Sequence, residues 1–143
     1  MVDRLLVERK LGKIETYLRE LQSVQVTSLE EFKRNVVTKR FIERQLELCV
    51  EQMIGVCKHL VAGLDLPEPE TYAGCFDILA GAGVVPEQHL AVFKSLARFR
   101  NLLIHGYDNV DDAVTYGIFT VRLSDFTTFI AAIRGYLAEK GMP

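Results

Sequence analysis

Apolar residues recur every three or four positions along most of this chain, which is the signature of helices burying one face. Val7, Leu11, Ile14, Leu18 and Leu21 form one such stripe and predict a first helix. Ser28 is placed as an N-cap, and Glu31 three residues on completes a capping box. A long second helix is predicted from there to about Val61. Its first half is charged; its second half carries Leu46, Val50, Met53, Cys57 and Leu60, flanked by Cys49, Ile54 and Val61. A stripe that widens in this way predicts a central helix packed on two sides.

Pro67 and Pro69 in GLDLPEPE end that helix, because proline cannot continue it. A short third helix is predicted from Glu70 to Ala82, closing at Gly83. Pro86 suits the first turn of a fourth helix, which runs to about His105. Val92, Leu96, Phe99 and Leu103 are its expected buried stripe, and Gly106 its left-handed cap. After the polar turn YDNVDD, one last long helix carries Phe119, Leu123, Phe126, Phe129, Ile130, Ile133 and Leu137, with Gly117 as the place for a kink. VVPEQ and YGIFTVRL come nearest to strand-like alternation, and the second fits helical spacing better. The expectation is an all-α fold: one up-and-down bundle of about five helices, without a sheet, in a single domain over 1–143.

Composition adjusts this picture only slightly. A chain of 143 residues is long enough to bury a core without staples. The formal charge of −2 argues against coating nucleic acid through overall charge and leaves room for a local basic patch. The opening MVDRLLVERKLGK lacks the apolar run of a signal peptide, and no apolar run approaches a membrane span, so a cytoplasmic chain with no membrane partner is expected. Cys49, Cys57 and Cys75 are odd in number and lack CxxC spacing. They are expected to be unpaired core fillers in a reducing compartment.

Chemistry concentrates in one segment, Arg98 to Tyr107, reading RFRNLLIHGY. Core packing does not ask for Arg100, Asn101 and His105 at the end of an apolar helix. Asn101 and His105 share a face at i and i+4, and the long side chain of Arg100 can reach the same helix end. The set offers a guanidinium fork for phosphate, an orienting amide, and an imidazole that exchanges protons near neutral pH. The plainer reading is that Arg100 meets surface carboxylates and His105 closes the helix C-terminus, where a cation is favoured. Elsewhere, Lys33, Arg40 and Arg44 fall near one face of the second helix. They read as a path for a polyanion or, more simply, as a solvated face balanced by Glu43 and Glu47. Asp108, Asp111 and Asp112 read as turn and cap residues before they read as metal ligands. His59 and His89 have no ligand-like company in the sequence.

RNLLIHGY resembles the Arg-x4-His-x-Tyr signature of the HepT-like branch of HEPN proteins. SLEEF, ERQLELCVEQMIGVCKHL, PETYAGCFDILAGAGVVPE and the closing acidic turn and helix are similar to that family in order and spacing. The resemblance implies a metal-independent endoribonuclease acting as a homodimer, the toxin of a type VII-like toxin–antitoxin pair with no cofactor of its own. Its implied partners are an RNA substrate (tRNA or mRNA) and an MntA-like minimal nucleotidyltransferase antitoxin, which spends ATP to AMPylate the motif tyrosine. By that resemblance Arg100 and His105 are catalytic, Asn101 is supporting, and Tyr107 is the modification site. The alternative is a HEPN dimer without activity that serves as binding partner of a nucleotidyltransferase.

Overall fold

The first helix, α1 (Arg4–Gln22), starts where the Asp3 side chain accepts the Leu6 amide, and it buries Val7, Leu11, Ile14, Leu18 and Leu21, the stripe expected of it. The computed structural model describes residues 1–106 and 110–141, and among these it contains seven α-helices and no strand. The two helices beyond the expected five come from breaks that leave the apolar stripe intact. Asn35 ends α2 (Leu29–Arg34) by donating its amide to the Glu31 carbonyl. In non-helical geometry (φ −86°, ψ 86°), Asn35 then starts α3 (Val36–Gly63) by accepting the Thr38 amide through its side chain. The final stretch divides at Arg122 into α6 (Asp112–Val121) and α7 (Ser124–Glu139); Gly117 lies inside α6 and makes no break.

Ser28 caps α2 as its position predicts, accepting the Glu31 amide at 3.1 Å. The return half of the capping box is different. Glu31 takes the backbone N–H and the hydroxyl of Thr27, one residue earlier than a regular box would use. Those donors hold its carboxyl below the usual range.

Helix α3 is central as expected, packing on α1, α2, α4 (Tyr72–Gly81), α5 (Leu90–Asn101) and α6. Gly83 ends α4 in left-handed geometry (φ 77°), and the Val84 amide reaches back to the Leu79 carbonyl. Pro86 leads into a short 3-10 turn, Glu87–His89, and α5 follows at Leu90. Within α5, Leu96 and Phe99 are buried as expected, but at the start of the stripe Phe93 is fully buried and Val92 only partly. The larger ring takes the core position because it meets Phe129 edge-on at 5.5 Å and Phe76 at 6.0 Å.

The cysteines correct the expectation of an unpaired set. Cys57 on α3 and Cys75 on α4 form a disulfide, their Cα atoms 6.3 Å apart. The packing of α4 on the C-terminal half of α3 brings them within bonding reach. Eighteen residues of separation gave no CxxC-like signal. Cys49 stays free and buried, with its thiol pushed up to about 12 first by desolvation and then by the charge of Glu20. It therefore fills the core and is not a nucleophile. Among the described residues no helix is long and apolar enough to cross a membrane.

Candidate active site

The segment singled out by sequence closes α5. Residues Leu102–Gly106 continue the helix as a π-helical turn, the wider i→i+5 form often found where a helix serves a site. Gly106 is not a left-handed cap; it is the last residue of this turn. A Cβ there would stand 3.1 Å from the Leu102 Cδ2, so the missing side chain leaves room for Leu102. Arg100, Asn101 and His105 all line one open cleft of about 820 Å³, with Tyr72, Arg98 and Gly106 beside them. Among the described residues no carboxylate is in that lining, and Arg98 joins Arg100 and His105 there. A basic patch thus exists within a chain of net negative charge.

Arg100 is set from three sides. Its Nη2 donates to Glu51 on α3 at 3.3 Å, and its Nη1 donates to the Asn101 side-chain oxygen at 3.2 Å. The guanidinium carbon lies 5.4 Å from the centre of the Tyr72 ring. Its Nε is buried and meets no hydrogen-bond acceptor among the described residues. The planar fork is thus oriented but has donor capacity to spare, which suits a phosphate that arrives with substrate. Asn101 supports Arg100 directly through this bond. His105 is exposed in the same cleft. Tyr107 and Asp108 lie outside the described residues.

The other candidates fall away from this cleft. His59 accepts the Asp3 amide through Nε2 at 2.8 Å, and His89 stacks on Phe93 with ring centres 6.1 Å apart. Arg40 and Arg44 pair with Glu43 and Glu47 along α3, the solvated-face reading, while Lys33 sits apart on α2. Asp111 caps α6 by accepting the Ala113 amide, and Asp112 pairs with Lys39 at 2.9 Å. Among the described residues no group of three or more His, Cys, Asp and Glu is arranged to hold a metal ion. Sequence reasoning missed Glu51 and Tyr72, which shape the Arg100 site from distant parts of the chain.

Comparison with known proteins agrees with this geometry. A family model described as Ribonuclease HepT-like matches residues 14–133. The chain belongs to the HepT-like ribonuclease family. Membership places it in a family of ribonucleases, as the signature implied. It is 21% identical over 136 residues to the tRNA nuclease HepT of Aphanizomenon flos-aquae, covering 95% of this chain and 92% of that one. It is likewise 21% identical to the mRNA nuclease HepT of Shewanella oneidensis, covering 90% of this chain and 96% of that one. The fold matches a tri-AMPylated Shewanella oneidensis HEPN toxin solved in complex with its MNT antitoxin: TM-score 0.84, 21% identity, 94% of this chain and 99% of that one.

Proposed function

We propose that this HepT-like chain is the toxin of a type VII-like pair, a metal-independent endoribonuclease that cuts tRNA or mRNA at a site completed across a two-fold homodimer. The observation that carries the reading is one cleft in which an Arg100 with donors to spare and an exposed His105 share a surface. RNA brings its own nucleophile in the 2′-OH. His105 takes the 2′-OH proton as the oxygen attacks phosphorus, and the Arg100 fork stabilises the charged phosphorane with paired donors. The P–O5′ bond then breaks, and the leaving oxygen takes a proton from an imidazolium. The products are a 2′,3′-cyclic phosphate and a 5′-OH.

One imidazole cannot give and take a proton in the same concerted step, and among the described residues His105 is the only histidine lining the cleft. A second copy related by two-fold symmetry supplies the acid. Helix α3 offers a face for it. Val37, Phe41, Arg44, Leu48 and Glu51 follow each other at helical spacing, and the stripe ends on the carboxylate that holds Arg100. At its other end Val37 is 82% exposed and Phe41 38% exposed.

Silencing rests on Tyr107, two residues beyond His105. An AMP group placed there by an MntA-like nucleotidyltransferase, using ATP, adds bulk and a phosphodiester charge at a site built for phosphate. The tri-AMPylated state of the Shewanella relative supports this proposal.

The test is incubation of the purified chain with RNA in excess EDTA, followed by end-group analysis. Cleavage with cyclic phosphate ends is the expected result; loss of activity on chelation, or 3′-OH ends, contradicts the mechanism. Intact mass after co-expression with the antitoxin should show added AMP that disappears in Tyr107→Phe.

A further inference from the structure

Next to the cleft lies a second hollow of about 830 Å³, between the end of α3, the connection that follows it and the start of α4. Its volume is in the roughly 300–1,000 Å³ range of small-molecule sites. Buried Val61 and Cys75 and half-buried Leu66 give it apolar surface, while Lys58, Tyr72 and Asn101 bring polar groups to it. Tyr72 and Asn101 also line the Arg100 cleft, so the two hollows adjoin.

Tyr72 is the hinge of this arrangement. Its side chain is large, yet the residue is 39% exposed at the first position of α4. Two cations stand over its ring, Arg100 at 5.4 Å from the cleft and Lys58 with its Nζ at 5.7 Å from the second hollow. Among the described residues no carboxylate pairs with Lys58. Asn101 gives its side-chain oxygen to Arg100, which leaves the amide hydrogens free for another acceptor. An aromatic face, a cation on a flexible stem and a free amide, all next to a phosphate-oriented arginine, are what a single-stranded nucleotide requires. Glu68 and Glu70 also line the hollow, and their charge disfavours a phosphate beside them. They leave the Lys58 side for the backbone and the apolar surface for the base.

Resting on the ribonuclease reading above, we infer that the Lys58–Tyr72 hollow binds the RNA nucleotide adjacent to the scissile phosphate. The base packs on Tyr72 and the apolar surface, Lys58 moves from the ring to that nucleotide's own phosphate, and the Asn101 amide donates to the base edge. Tyr72 and Lys58 are positioning residues here. They fix where along the strand the scissile phosphate meets Arg100, and they take no part in the proton transfers.

The experiment measures binding of the purified full-length chain to a fluorescent 2′-O-methyl RNA, which lacks the nucleophile, alongside cleavage kinetics on the matching RNA. Tyr72→Ala should weaken binding about tenfold and raise KM, while Tyr72→Phe restores both. Lys58→Gln should weaken binding severalfold and make it less salt-dependent, because one phosphate contact is lost. Thermal melting controls for folding in each variant. Undiminished binding by folded Tyr72→Ala, or an equal loss in Tyr72→Phe, overturns the inference. The two readings separate cleanly. Cleavage with Tyr72-independent binding removes the hollow and leaves the ribonuclease mechanism, whereas Tyr72-dependent binding without any cleavage does the reverse.

Discussion

Arg100 and Arg134 are both arginines held by glutamates, and they differ in what is left over. Arg134 on α7 donates five hydrogen bonds to Glu8 and Glu15 on α1, using Nε, Nη1 and Nη2. Arg100 donates one bond to a carboxylate and one to an amide, with its Nε unpartnered. The difference runs against exposure. Arg100 has only 17% of its side-chain surface exposed and Arg134 has 39%, so the better-buried guanidinium is the less satisfied one. Burying unmet donors is costly, and a fold tolerates it where a ligand completes the set. Arg134 is a clamp between the first and last helices. Arg100 is an oriented fork with capacity for a phosphate.

The largest expected effect comes from exchanging roles between the two. Arg100→Ala should lower RNA cleavage by about 10²–10³-fold, with little change in melting temperature. Arg134→Ala should leave cleavage unchanged. Equal activity loss in the two variants, measured at matched protein and RNA concentrations, would erase the distinction.

A smaller effect is expected at Glu51. Its carboxylate orients Arg100 from α3, so Glu51→Ala should reduce cleavage by about tenfold, chiefly in kcat, while the conservative Glu51→Gln retains most activity. If both variants cut at the wild-type rate, Asn101 and Tyr72 alone position the fork.

Smaller again is the stability of the clamp. Its groups are more than a third exposed, so Arg134→Ala should cost no more than about 1 kcal/mol in chemical denaturation. The hydrogen bond from Arg134 holds the Glu15 carboxyl below its ordinary 4.5. A depressed carboxylate contributes stability that is full above the unfolded value and fades as pH falls through the folded one. The gap between wild type and Arg134→Ala should therefore be present at pH 7 and shrink below about pH 4.5. A gap that widens in acid would assign the clamp to something other than this ion pair. Smallest of all, Arg40→Ala should change stability by about 0.5 kcal/mol or less, since Arg40 meets Glu43 at the surface of a single helix turn.

What was legible in the sequence follows from the range of the interactions. The α1 stripe could be read directly, because an amphipathic helix writes its buried face at short intervals. The breaks at Asn35 and Arg122 could not, since an interruption of one or two residues leaves the apolar period nearly in phase. Choosing Val92 over Phe93 in α5 was an error of one residue, decided by aromatic partners on α4 and α7. Arg100, Asn101 and His105 were legible as a local motif, and they do line one cleft. Glu51 and Tyr72 were not, because each reaches Arg100 from another helix; Glu51 stands 49 positions away in sequence. The Cys57–Cys75 bond was missed for the same reason: it depends on how α4 lies on α3.

The most direct measurement follows the Nε–H signals of Arg100 and Arg134 together in ¹⁵N-labelled protein, as an uncleavable 2′-O-methyl RNA is added. Both signals are assigned by single substitution, so each arginine is the control for the other. The account predicts that the Arg100 signal shifts as RNA binds, while the Arg134 signal stays where it is. An Arg100 signal that does not respond under saturating RNA would contradict the claim that its open donors are there for a phosphate.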